Sequence, residues 1–126
     1  GMYIRTAGAD RLAKMGAGKP DCIDQWADRE YIFPIFKESC FKGATGAGDS
    51  SIGAFLCAML RSLPLYDAGL FSAAVGACNV EAADSLSGIR TWDETMARIN
   101  AGWETKAISL NETGWAQDAK GVWKKG

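Results

Sequence analysis

Apolar positions along the chain change period twice, and the changes divide it into elements. Met2-Tyr3-Ile4-Arg5-Thr6 is rich in strand formers and runs into Ala7-Gly8-Ala9-Asp10, which reads as a turn. Residues Arg11 to Asp28 mix Gly, Pro and charges without a period, the mark of a loop holding a short helix. Extended structure resumes at Glu30-Tyr31-Ile32-Phe33-Pro34-Ile35-Phe36; because Pro34 donates no backbone hydrogen bond, this strand is predicted at a sheet edge or bent there. Ile52, Phe55, Leu56, Met59 and Leu60 then fall at i, i+3, i+4, i+7 and i+8, an amphipathic helix that Leu63-Pro64 ends. A second helical run opens at Asp67, continues through Leu70, Phe71, Ala74, Val75, Cys78 and Ala82, and stops at Ser87-Gly88. Thr91-Trp92-Asp93-Glu94 has the spacing of a capping box and predicts a third helix to Asn100, stopped near Gly102.

Strands followed by three helices predict an α/β layered domain over residues 1–103. Two strands leave helix and sheet faces open, and open edges and apolar patches favour pairing between chains, so self-association is expected. Residues 104–126 hold Trp103's successors Trp115 and Trp123 without a sustained period, and read as an appended arm, partly disordered, whose tryptophans pack over an exposed core.

Composition narrows the chemistry. The length of 126 residues fits one domain of the usual roughly 100 to 200. Charges are mixed and the formal net charge is −1, which excludes the broad basic field that nucleic acid or an anionic membrane would attract. The longest mainly apolar stretch, Ile52 to Leu60, is far short of the roughly 20 residues of a membrane span, and the start of the chain lacks a signal-peptide pattern, so a cytoplasmic place is expected. Cys22, Cys40, Cys57 and Cys78 show no C-x-x-C spacing and are expected to be reduced thiols. The chain has no histidine. Ser-His-Asp and Cys-His machinery are therefore excluded, and acid-base work near neutral pH falls to a carboxylate, Lys, Tyr or Cys.

One motif stands at a junction that suits such work. Gly43-Ala44-Thr45-Gly46-Ala47-Gly48-Asp49 lies between a predicted strand and a predicted helix. Glycines let the backbone approach a ligand closely, and free amides at a helix N-terminus attract phosphate oxygens. Asp49 at that spot reads in two ways: as a base that accepts a hydroxyl proton during phosphoryl transfer, or as a helix N-cap. A P-loop is excluded because Asp49 stands where its Lys is required, and the G-x-G-x-x-G fingerprint fits Gly46 and Gly48 but meets Ser51 at its third glycine.

The stretch GATGAGDSSIGAF, Gly43 to Phe55, resembles the D-T-T-G-A-G-D-A-F-x-x-G-F signature of PfkB, or ribokinase-like, carbohydrate kinases. The likeness runs from Gly1 to about Trp103: Gly1 to Thr6 resembles the strand after a glycine-rich nucleotide segment, Trp26 to Phe36 the strand leading to the signature, and Ala73 to Gly88 the helix and turn near adenine. Gly43, Ala44, Ser51 and Ala54 depart from the signature. The resemblance implies the C-terminal portion of a ribokinase-like α/β fold and ATP-dependent phosphorylation of a sugar or sugar-like alcohol. Asp49 is then the base, the Gly46, Ala47 and Gly48 amides the anion hole, and Thr45 and Asn79 neighbours of the nucleotide. ATP with magnesium is implied, the magnesium ligands and sugar pocket lying mostly outside these residues, and the chain is expected to be inactive alone. A non-catalytic nucleotide- or phosphate-binding module is the alternative. Asn111-Glu112-Thr113 fits a glycosylation pattern that is incidental in a chain expected in the cytoplasm, and Lys120, Lys124 and Lys125 read as solvated.

Overall fold

The computed structural model describes residues 1–126. Strand β1 (Met2–Arg5) pairs antiparallel with β2 (Glu30–Phe33), in a register that sets Met2 against Phe33 and Arg5 against Glu30. Between them lie two one-turn helices: α1 (Ala9–Leu12) stands where a turn is expected, and α2 (Ile23–Trp26) is a short helix within the expected loop, with Leu12 and Trp26 in the buried sites that fix them. Three long helices follow, α3 (Ala47–Leu60), α4 (Leu65–Asn79) and α5 (Trp92–Asn100). The chain ends in a hairpin of β3 (Trp115–Gln117) and β4 (Trp123–Lys125), and the sheet order is β1-β2-β4-β3. This is an α/β architecture, a small antiparallel sheet under a layer of helices, and no helix is long and apolar enough to cross a membrane.

Strand β2 is interior, so of the two placements expected from Pro34, at a sheet edge or bent there, the edge is not met. The reason is that β2 stops at Phe33, so the missing N–H of Pro34 is never asked to join a ladder. β4 covers its second side through Tyr31–Lys124 and Ile32–Trp123. The arm at residues 104–126 therefore has regular structure and completes the sheet. Val122 is fully buried, the Tyr66 hydroxyl donates to Asp118, and Trp123 Nε1 donates to the Ile108 carbonyl at 2.9 Å.

Helix α4 is the centre of the core. It is buried almost all round, which its run of Ala, Gly and Ser allows. At Gly69 a β-carbon would collide with the Phe33 ring, so glycine is what lets α4 sit on β2. α4 begins at Leu65, after Pro64, and ends at Asn79, eight residues before the expected stop at Ser87. The early end has a local cause: Asp84 accepts hydrogen bonds from the amides of Leu86 and Ser87, at 2.8 and 2.6 Å, and this turn competes with helix. α5 carries the predicted capping box, with the Thr91 hydroxyl accepting from the Glu94 amide at 3.2 Å and Glu94 accepting from the Thr91 amide at 3.0 Å.

The apolar stripe of α3 is only partly turned inward. Ala54 and Ala58 are the buried positions, because the small-residue surface of α4 accepts a close small-residue face. Phe55 packs edge-on to Trp26 with ring centroids 5.6 Å apart, but Ile52, Leu56 and Leu60 are 63%, 47% and 66% exposed. One turn apart along α3, these three form an uncovered apolar ridge. All four cysteines are free thiols, and only Cys78 is buried.

Candidate active site

The glycine loop reaches α3 through one left-handed residue. Gly46 has φ +77°, is the N-cap of α3, and accepts the Ser50 amide at 2.9 Å. A β-carbon there would lie 2.7 Å from the Ser85 β-carbon, so both conformation and packing require glycine. The helix thus starts at Ala47, and Asp49 is its third residue rather than its cap. The capping role is excluded on geometry: no side chain caps α3.

Three amides at this end have no partner within the chain, those of Gly46, Gly48 and Asp49. The Ala47 amide, expected with the others, instead donates to the Ala44 carbonyl at 3.2 Å. Asp49, Gly48 and Thr45 are exposed, while Gly46 and Ala47 are half-buried.

What fixes the loop is a buried residue whose structural part the sequence reading did not include. Asn79, expected beside a nucleotide or on a surface helix face, is fully buried. Its Nδ2 donates to the Thr45 carbonyl at 2.9 Å and its Oδ1 accepts the Ser50 hydroxyl at 3.0 Å, tying the loop to α3 from below. The Val80 carbonyl adds a bond from the Lys42 amide at 2.8 Å. The available signal was position: a polar residue at the end of an otherwise small and apolar helix has no solvent face and must find partners inside. Asn79→Ala removes both bonds and leaves buried groups unpaired, an expected cost of about 1 to 3 kcal/mol. A urea midpoint equal to that of the parent chain would remove Asn79 as the clamp.

The turn after α4 carries the local charge. Burial works against ionised Glu81, but hydrogen bonds from Arg98 at 2.6 Å and from the Ser39 amide, with Arg98 and Arg90 nearby, hold its carboxyl below the usual range. Asp84, bonded by the Ser87 hydroxyl and the Ser87 and Leu86 amides, is held down at about 2. This turn is the wall against which Gly46 packs.

Two clefts flank the start of α3. One, of about 390 Å³, is lined mainly by apolar groups, among them Met2, Pro34, Phe36, Ala77 and Val80, and it borders Ala47 and Gly48. The other, an open cleft of about 600 Å³, holds Gly46, Asp49 and Ser50 at one end and Arg61, Arg90 and Trp92 among its other walls. Unpaired amides therefore lie between an apolar cleft and one that carries a carboxylate, an arrangement in which an anion could be passed between two bound molecules.

No solved structure matches the chain. It is 33% identical over 72 residues to a nucleoside kinase of Methanocaldococcus jannaschii, a match that covers 57% of this chain and 24% of that protein. The chain therefore spans about a quarter of the length of that relative. The profile of the pfkB family carbohydrate kinases matches residues 16–92, a segment that contains β2, the glycine loop, α3, α4 and the turn that walls the loop. With more than half of its residues inside that match, and the amides and carboxylate at its centre, the chain belongs to the PfkB carbohydrate kinase family.

Proposed function

We propose that the protein transfers the γ-phosphoryl group of ATP to a hydroxyl of a sugar or sugar-like alcohol, with Asp49 as the general base. The observation that carries this reading is the position of Asp49 at the third residue of α3, exposed, uncommitted to capping and beside unpaired amides. A carboxylate next to an anion site is unfavourable unless it takes a proton there, and phosphoryl transfer to an alcohol supplies that proton. The amides of Gly46 and Gly48 stabilise negative charge on the transferring group, and the Asp49 amide is available beside them; the Ala47 amide joins only by giving up Ala44.

The apolar cleft suits the base of the nucleotide, and the Asp49 cleft suits the acceptor. Thr45, whose carbonyl Asn79 holds, precedes Gly46 on the loop and belongs to the same nucleotide-binding reading. Since the relative is described as a nucleoside kinase, a ribose hydroxyl of a nucleoside falls within the proposed acceptor class. Magnesium accompanying ATP belongs to the same reading, held by phosphate oxygens and by groups mostly outside these residues. A cytoplasmic place of action, where ATP is at hand, belongs to the same reading. Turnover of an Asp49→Asn variant in a complete enzyme is the deciding test.

Self-association is also proposed, through the ridge of Ile52, Leu56 and Leu60. Sedimentation of the chain at high micromolar concentration should show species larger than a monomer. A single monomeric boundary would exclude it.

A further inference from the structure

Residues 34–38 form one wall of the apolar cleft, and that wall lies outside the sheet. Strand β2 ends at Phe33, yet Pro34, Ile35, Phe36 and Glu38 line the cleft together with Ala73 and Ala77 of α4. Every backbone-to-backbone hydrogen bond of residues 34–38 runs to the start of the arm. The Lys37 amide donates to the Glu104 carbonyl at 2.9 Å and the Lys106 amide to the Ile35 carbonyl at 2.8 Å, around an antiparallel bridge of Phe36 with Thr105. Lys106 Nζ also reaches the Glu38 carboxylate at 2.8 Å. All these partners lie beyond residue 92, where the family match ends.

The contacts converge on Trp103. Gly102, with φ +87°, turns the chain out of α5, and the Trp103 ring then packs on Phe36 with centroids 4.6 Å apart. Its Nε1 donates to the Lys37 carbonyl at 2.6 Å. The Arg98 guanidinium lies 3.6 Å from the centre of the ring and is fixed in turn by Glu81 at 2.6 Å and by the Ser39 hydroxyl at 3.0 Å. Core packing alone would place this indole among the buried side chains, but it is half-buried and bonded to the wall. Residues without ladder partners lose conformational entropy when they are ordered, and the contacts made by Trp103 and the arm are what offsets that loss here.

We propose that Trp103 is a positioning residue for nucleotide binding, holding residues 34–38 where they receive the base. This rests on the reading of the apolar cleft as the seat of the base. A ligand that needs the wall in place binds with an affinity scaled by the fraction of molecules in which it is in place. Loss of Trp103 therefore weakens what the base contributes. The phosphates meet the amides of Gly46 and Gly48, in a loop that Asn79 holds independently through the Thr45 carbonyl, so their contribution stays.

The test is calorimetric titration of this chain with ATP and with inorganic tripolyphosphate, both with magnesium; the second carries the phosphates without the base. ATP should bind the more tightly of the two. Trp103→Ala should weaken ATP about tenfold, as when the wall is in place a tenth of the time, and leave tripolyphosphate unchanged. Trp103→Phe, which keeps a ring on Phe36, should recover most of the loss, and unchanged α4 amide signals show that each variant is folded. In the parent chain, hydrogen exchange at the Lys37 and Lys106 amides should slow with ATP and not with tripolyphosphate, because a ligand that needs the wall stabilises it. Parent affinity for ATP in Trp103→Ala, or exchange at those two amides that ATP leaves unaltered, would overturn the positioning role while the base stays in the cleft. Equal binding of ATP and tripolyphosphate by the parent chain would remove the base from the cleft, and the role of Trp103 with it.

Discussion

In a complete PfkB enzyme that contains this chain, Asp49→Asn should lower kcat by about 10² to 10⁴, the usual worth of a general base, with little change in affinity for ATP. The substitution is nearly isosteric, and Asp49 caps nothing, so the start of α3 keeps its shape. What the helix loses is one carboxylate near its positive end, about 0.3 to 1 kcal/mol at an exposed position, too little to unfold a domain. The amides of Gly46 and Gly48 remain to meet phosphate oxygens. A fall in kcat with an unchanged KM for ATP would therefore report loss of an interaction made in the transition state. If the variant turns over at near the parent rate, Asp49 has no part in the mechanism and the acidity of the loop needs another reason.

Much of this site could be read from the residues because it is local. The strand-loop-helix order around Gly43 to Asp49, the capping box at Thr91 and the three long helices all follow from turn chemistry and period, which act over a few positions. What escaped depends on contacts between distant segments. The apolar stripe of α3 gave the right helix but the wrong face, since α4 presents Ala and Gly and selects Ala54 and Ala58 over Ile52 and Leu56. β3 and β4 are three residues each and have no period of their own; they exist because the open side of β2 takes β4. The Asn79 clamp was missed for a related reason: its partners, Thr45 and Ser50, are 34 and 29 residues away. Asp49 was placed at the start of α3 with base and cap both open as readings, and the left-handed Gly46 closes the second by starting the helix earlier than an Asp cap would.

These 126 residues, assayed as they stand, should show no sugar kinase activity even when folded. Phosphoryl transfer rests almost wholly on positioning and on electrostatic stabilisation in a site closed to water, and holding two reactants in line can be worth roughly 7 to 11 kcal/mol of the barrier. The chain offers a base, a few unpaired amides and two clefts, but the Asp49 cleft is open to solvent along α3, and Leu86 and Ile89 on its wall are themselves exposed. Nothing in it closes over an acceptor, so neither in-line geometry nor exclusion of water is supplied. A general base contributes about 10² to 10⁴ in rate and cannot make up that deficit. A coupled assay with ATP, magnesium and a panel of sugars should match the blank without protein. Turnover that follows the purified chain and vanishes in Asp49→Ala would show that one open wall is enough for positioning, and the division of labour argued for this fold would be wrong.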